Sequence, residues 1–433
     1  MTIGILSKDF QHIGFSHHFF DLTTLKKYGK RSSCIHHIVC FSQRTYITKK
    51  KRERNMQKRK TSFDLLRIFA MYGIIIFHHF GSTTLNHIVE LSGGFSADSF
   101  FYDFVNNMFL PSGHVSKASL LMDFCYGHFG SGGNYIFMLI TGYFLFERDI
   151  SFHKRVRSVS RILYAVLFHG IVLTLINCFL LVKYYPFSSY ASYRPLFTLP
   201  NWLSGENMWY LQAYGCFILV ILPVLKIFEK KLTQQSHLCL VLSLVFLRFL
   251  AYTNYYPNLW ISTHILDFIV FYYMGGYIAK YNFNIKLKAL FIFLLSYLFL
   301  YFAYEYYWRY ACSIMYEPSQ YSYINVMQPY ICCLIYAVVC FLIFERMKVP
   351  GFLSNTISAI SDKTIGIYIF HYNFINISFI IADYLGWDNW SRKGYFAFAI
   401  VDSAVLFAAG FLIDSARKWS YKHIEQKVMS LSL

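Results

Sequence analysis

The sequence predicts an all-α, polytopic membrane protein with about ten transmembrane helices and both termini in the cytoplasm. Three observations carry that expectation. The 433 residues are 56% apolar and only 14% charged, a composition that excludes a water-soluble globule. From residue 63 onward, apolar runs near the ~20 residues needed to cross a bilayer recur along the chain. Successive loops alternate between rich and poor in Lys and Arg, the pattern left when the cytoplasmic side retains positive charge. With 45 Phe, 37 Tyr and 7 Trp against 9 Pro, a disordered, linker-like or collagen-like chain is also excluded.

Residues 1–60 form a basic N-terminal extension. They hold 14 of the 40 Lys and Arg against Asp9, Asp21 and Glu53, which is +11 of the formal +18. Ile3 to Phe20 is broken by Lys8, Asp9, Gln11, His12, His17 and His18, so it makes no span, and the order of regions in a signal peptide is missing. Met56, followed at once by Gln-Lys-Arg-Lys and an apolar helix, looks like the start of a multi-pass protein. Residues 1–55 are therefore expected to be dispensable. The positive excess is local and otherwise lies in short loops, so no nucleic-acid partner is expected; the partner is the lipid bilayer.

The membrane domain, 61–415, is divided into spans 63–82, 129–147, 162–182, 208–228, 236–252, 261–279, 287–304, 324–344, 364–384 and 395–415, and 416–433 is a short cytoplasmic tail. The fifth is short and contains Arg248. Loop charge tests the parity: with the N-terminus inside, inner loops and tail carry eighteen Lys and Arg and outer loops six, which supports ten spans. Residues 83–128 make a long outer segment able to cover a mouth. No repeat of fixed period is evident, which weakens a transporter built from two similar halves. Cys178, Cys216, Cys239, Cys332, Cys333 and Cys340 sit in apolar runs without ligand spacing and read as small buried hydrophobes, and no metal is expected.

The first span holds the most informative constellation. Arg67 and His78 are eleven residues apart and return to within about 20° of one another, roughly 16 Å along the axis. Ionisable groups inside a span are costly and tend to face a cavity or partner; the plainer alternative is that Arg67 anchors the inner end and His78 or His79 reaches the outer interface. His79 stands about 100° round the helix and is expected to matter less. Thr61 is placed as an N-cap with Asp64 three residues on, and Asp64 with Arg67 forms an i,i+3 pair.

Phe63-Asp64-Leu65-Leu66-Arg67 followed by His78 resembles the first-helix signature of acyltransferase family 3, the multi-pass membrane O-acyltransferases of bacterial cell-surface glycans. Ile136 to Leu145 resembles that family's second-helix segment, with Thr141 where the family has Ser. Met208-Trp209-Tyr210-Leu211, Leu222-Pro223 as a helix ending, and Gly366-Ile367-Tyr368-Ile369-Phe370-His371 follow in the expected order, so the resemblance covers about residues 60–415. Lys154-x-x-Arg157 and then Arg161 stand where the family has Arg-x-x-Arg. The resemblance implies transfer of an acyl group, with acetyl the expected one, from acetyl-CoA or another acyl-CoA to a hydroxyl of a cell-envelope polysaccharide, lipopolysaccharide or lipid-linked glycan precursor in the inner membrane. No soluble hydrolase-like module is expected after the spans.

The residues fit that chemistry. Removing a hydroxyl proton needs a base, for which neutral His is suited, and His78 is the candidate, with Arg67 orienting the donor through its planar fork. Lys154, Arg157 and Arg161, spaced i, i+3, i+7 with Arg155 among them, could face the phosphates of coenzyme A or simply mark the cytoplasmic side. Glu206 is either an outer-mouth acid or a solvated loop charge. Trp209 and Tyr210 are interfacial anchors or a sugar platform. His371 packs its helix or touches substrate; His128, His169 and His264 are assigned no chemistry. The alternative function is a glycolipid transporter or flippase in which Arg67, Arg248 and the histidines line a conduit.

Overall fold

The computed structural model describes residues 60–80, 120–121, 124–146, 148–184, 208–253, 260–281, 285–315, 328–371, 374 and 392–431, all within the unit Arg59–Leu433. The extension 1–55, most of the outer segment 83–128, Glu206 and most of 372–384 lie outside the described residues. Among the described residues every regular element is helical.

Helix α1 (Thr61–Phe80) buries Phe63, Leu66, Ala70, Met71, Ile74 and Ile75, a helical stripe at three- and four-residue spacing. It packs on α2 (Gly132–Leu145), α9 (Gln328–Arg346), α10 (Ser354–Ser361) and α12 (Arg392–Leu431), which makes it the hub of the bundle. A π-helical stretch, Cys125–Ser131, leads into α2. Thr61 is the first residue of α1, and its hydroxyl meets Ser354 Oγ at 2.7 Å. The Lys60 carbonyl accepts the N–H groups of Phe63 and Asp64, so Lys60 occupies the capping position expected of Thr61.

Helix α2 lies backbone to backbone against α7 (Trp260–Tyr281). A Cβ on Gly142 would stand 2.5 Å from the Phe271 carbonyl oxygen, and one on Gly275 would stand 2.5 Å from that of Leu139. Small residues are what allow such an approach between apolar helices. Helix α3 (Phe152–Tyr184) runs antiparallel to α12: Tyr164 meets Ser420 (3.2 Å), and His169 Nε2 meets Asp414 Oδ1 (3.2 Å).

Helices α4 (Trp209–Cys216) and α5 (Leu222–Glu229) are joined by a π-helical turn, Phe217–Ile221. Pro223 sits in the first turn of α5, where its missing N–H is absorbed by the wider turn before it. Leu222-Pro223, a helix ending by the family resemblance, lies inside the rod, which continues to Glu229 as the expected span 208–228 required. Next come α6 (Gln234–Thr253), α7, α8 (Leu287–Met315), α9, the short α10, and α11 over 364–371.

Five described helices are long and apolar enough to cross a membrane: Thr61–His79, Phe152–Ile176, Trp209–Glu229, Leu287–Tyr307 and Phe396–Tyr421. A sixth would be Tyr330–Arg346 with Gly351–Ser361, bent by 115° between its halves, and Gln234–Leu250 is a shorter apolar helix. All ten stretches expected from the sequence overlap a helix. Helix α8 turns Phe291, Leu295, Phe299 and Leu300 outward, the apolar exterior of a protein solvated by lipid. Cys216 and Cys239 also face outward instead of inward, while Cys125, Cys333 and Cys340 are buried. Helix α12 passes residue 415 without a break, so the expected tail begins as a continuation of the last span.

Candidate active site

A cavity of about 270 Å³ opens between α1, α2, α3, α4 and the turn from α10 into α11. Its polar lining is Arg67, Asn134, Thr141, Tyr210, Tyr214 and Thr364, with Ser361 and Asp362 at the turn, and Met71, Ile74, Phe137 and Ile140 supply apolar walls. Arg67 is aimed by a buried carboxylate: Asp64, 1% exposed, accepts from Arg67 Nη1 at 2.8 Å and from Ser361 Oγ at 3.1 Å. Asp64 thus ties Arg67 to the cavity rim. Just before the span, Lys60 Nζ donates to Glu345 (3.1 Å) and Tyr143 (3.2 Å). Burial opposes its charge, but Tyr143 and Glu345 outweigh that and hold its pKa above the ordinary lysine value.

Ile74, one turn before His78, and Tyr368, three residues before His371, both line the cavity. Beyond them the His78 and His371 rings lie 5.1 Å apart, and the Tyr368 ring lies 5.6 Å from that of His371. His371 is fully buried, with Nδ1 3.1 Å from the Ile367 carbonyl oxygen. A carbonyl can only accept, so Nδ1 carries the hydrogen and Nε2 of the neutral ring the lone pair. The structure therefore pairs His78 with His371 but places neither among the residues that line the cavity with Arg67.

Lys154, Arg157 and Arg161 are exposed along the start of α3, and Arg161 directly precedes Ile162, a cavity-lining residue. Arg155 differs: it is partly buried, with its guanidinium over the Phe152 ring at 5.7 Å. Trp209 turns elsewhere, its indole stacked on His264 with centroids 3.7 Å apart, while its neighbour Tyr210 lines the cavity. Arg248 donates to Asp267 at 2.6 and 3.1 Å and lies over the Tyr330 ring, so its guanidinium is engaged within the α6–α7–α9 packing. His169 bonds Asp414, which also accepts from Arg417 at 2.6 Å, and His128 meets Tyr297 at 2.6 Å. Among the described residues, no group of three His, Cys, Asp or Glu side chains could hold a metal ion.

Sequence reasoning passed over Asn134, Tyr214, Ser361, Asp362, Thr364 and Asp402. For Asp402 a signal existed: it is a carboxylate inside an apolar run, the same cost that drew notice to Arg67. The others are ordinary polar residues, and only the fold converges them.

Apolar helices of membrane-crossing length, packed around a partly open cavity lined by Arg67 and by more apolar than polar surface, define a helical membrane protein with a cavity inside its bundle. The family model described as an acyltransferase domain, acyltransferase family 3, matches residues 60–414, and the chain belongs to that family. Comparison with curated proteins and with solved structures yields no match.

Proposed function

We propose that this protein is a membrane O-acyltransferase that moves an acyl group, with acetyl the expected one, from acyl-CoA to a hydroxyl of a cell-envelope polysaccharide, lipopolysaccharide or lipid-linked glycan precursor. It works in the inner membrane with ten spans and both termini in the cytoplasm. Residues 1–60 are an extension to the catalytic domain, and no metal takes part.

The observation that carries this reading is the layout of α1, with Arg67 in the cavity and His78 roughly 16 Å further along the same face. That separation suits an extended pantetheine arm. Lys154, Arg157 and Arg161, at the end of α3 that adjoins the cavity, meet the donor phosphates, with Arg155 beside them. Arg67, held by Asp64, orients the arm. His78 removes the proton from the acceptor hydroxyl, the oxygen attacks the thioester carbonyl, the C–S bond breaks, and the proton passes to the departing thiolate. His371 faces the same reaction space. Glu206 and Trp209 are assigned to the acceptor side, Trp209 through the platform it forms with His264. A conduit reading would place Arg248 beside Arg67, and its pairing with Asp267 supports that reading less well.

Two measurements test the proposal together. Mass spectrometry of envelope glycans from cells with and without the protein should differ by acetyl groups on the same sugar. Detergent-opened membranes should release free coenzyme A thiol from acetyl-CoA. Movement of a glycolipid without thiol release would overturn the proposal in favour of a transporter.

A further inference from the structure

The residue after the proposed base has a partner of its own. His79 is fully buried, and its Nε2 lies 2.8 Å from Asp402 Oδ2 on α12. Its Nδ1 faces two acceptors, the Ile75 carbonyl oxygen at 3.0 Å and Ser403 Oγ at 3.3 Å. Ser403 donates its own hydrogen to the Ala399 carbonyl at 2.6 Å, so towards His79 it can only accept. Nδ1 therefore carries a hydrogen, and the contact at Nε2 needs another, either as imidazolium with carboxylate or as imidazole with carboxylic acid. In both cases one proton joins α1 to α12 at the level of His78.

That joint sits where a helix is weakest. The last four carbonyls of a helix have no partner within it, and its last turn frays unless something holds it. His79 is the penultimate residue of α1. About two turns earlier, Tyr72 donates to the Ile400 carbonyl at 3.0 Å. Two bonds to α12 thus fix both the rotation of α1 and its final turn, while Gly133 of α2 closes on Ala70 and Ile74 from the other side. The direction of the His78 ring follows from that rotation.

We propose that His79 and Asp402 are positioning residues that aim His78 into the reaction space beside His371. This rests on the reading of His78 as the base. His79 accordingly takes a part that its angular position alone did not suggest.

The test uses the full-length protein in native membranes, with acetyl-CoA as donor, the membranes' own glycans as acceptor and thiol release as readout. Asp402→Leu should lower kcat about tenfold to a hundredfold with unchanged KM for acetyl-CoA, the scale of loss that misplacement produces. Asp402→Asn can still donate to Nε2 and should retain most activity. The double variant His79→Leu/Asp402→Leu removes both partners, so heat resistance of the folded protein should recover, because no buried polar group is orphaned, while kcat stays low. If kcat recovers together with heat resistance, or Asp402→Leu turns over normally, the pair is structural only and the inference fails. Should the leucine variants not accumulate, Asp402→Ala and His79→Gln carry the same comparison. His78→Ala run alongside separates the two failures: if it is inactive and Asp402→Leu is fully active, only the positioning role is lost, whereas an active His78→Ala removes the base reading itself.

Discussion

At the scale of single residues, the face shared by Arg67 and His78 was legible from spacing alone, because eleven residues nearly close three helical turns. What spacing could not give was the depth of each group or its partner. Asp64 was foreseen as the i,i+3 partner of Arg67, and the 2.8 Å bond agrees; its second bond, to Ser361 nearly three hundred positions away, belongs to tertiary packing. Replacing His78 by Ala should leave insertion and abundance nearly normal and abolish acetate incorporation, since the loss falls on proton removal. Arg67→Lys keeps the charge but loses the planar fork, one nitrogen of which, Nη1, donates to Asp64. It should cut acetyl transfer at least about tenfold at matched protein levels if Arg67 orients the donor; near-wild-type transfer would make it a surface anchor.

At the scale of elements, helix positions were readable because each apolar run is long and uniform, whereas helix interruptions were not. The span 208–228 was drawn through Pro223, but the π-helical turn that accommodates the proline is announced by no local pattern. The basic stretch opening α3 was legible as a charge cluster, and its nearness to the cavity through Ile162 was not. Replacing Lys154, Arg157 and Arg161 together by Gln should raise the acyl-CoA concentration for half-maximal rate several-fold with little change in the rate at saturation. An unchanged donor dependence would return them to topology markers. The contact of α2 with α7 gives a purely structural expectation. Gly142→Val forces a side chain into the Phe271 backbone and should destabilise the bundle by about 1–3 kcal/mol, seen as earlier thermal aggregation in detergent, whereas Gly127→Ala, with open space around it, should not.

For the whole molecule, composition and loop charge made the helical membrane class legible, and the order of motifs made the family legible. The number of membrane crossings was less so, because Tyr330–Arg346 and Gly351–Ser361 bend by 115° where hydropathy alone reads a single run and a loop. Cysteine labelling from the two faces of the membrane should place 148–161, 226–235 and 345–363 on one side and 83–128 and 183–207 on the other. Outer-face labelling of 148–161 would overturn the ten-span arrangement, since loop charge is what supports it.

The bend after α9 has a mechanical consequence. Phe352, 80% exposed, and Leu353 form an apolar tip at its elbow, and the short helix that follows delivers Ser361 and Asp362 to the cavity rim. An element turned so far from its neighbour's axis is expected to rest along the headgroup layer with its apolar tip sunk into it. On that expectation lipid packing would press on a lever whose other end is the rim and, through Ser361 and Asp64, the guanidinium of Arg67. Turnover in reconstituted vesicles should accordingly vary with acyl-chain length of the surrounding lipid, and Phe352→Ser should blunt that variation while the fold persists.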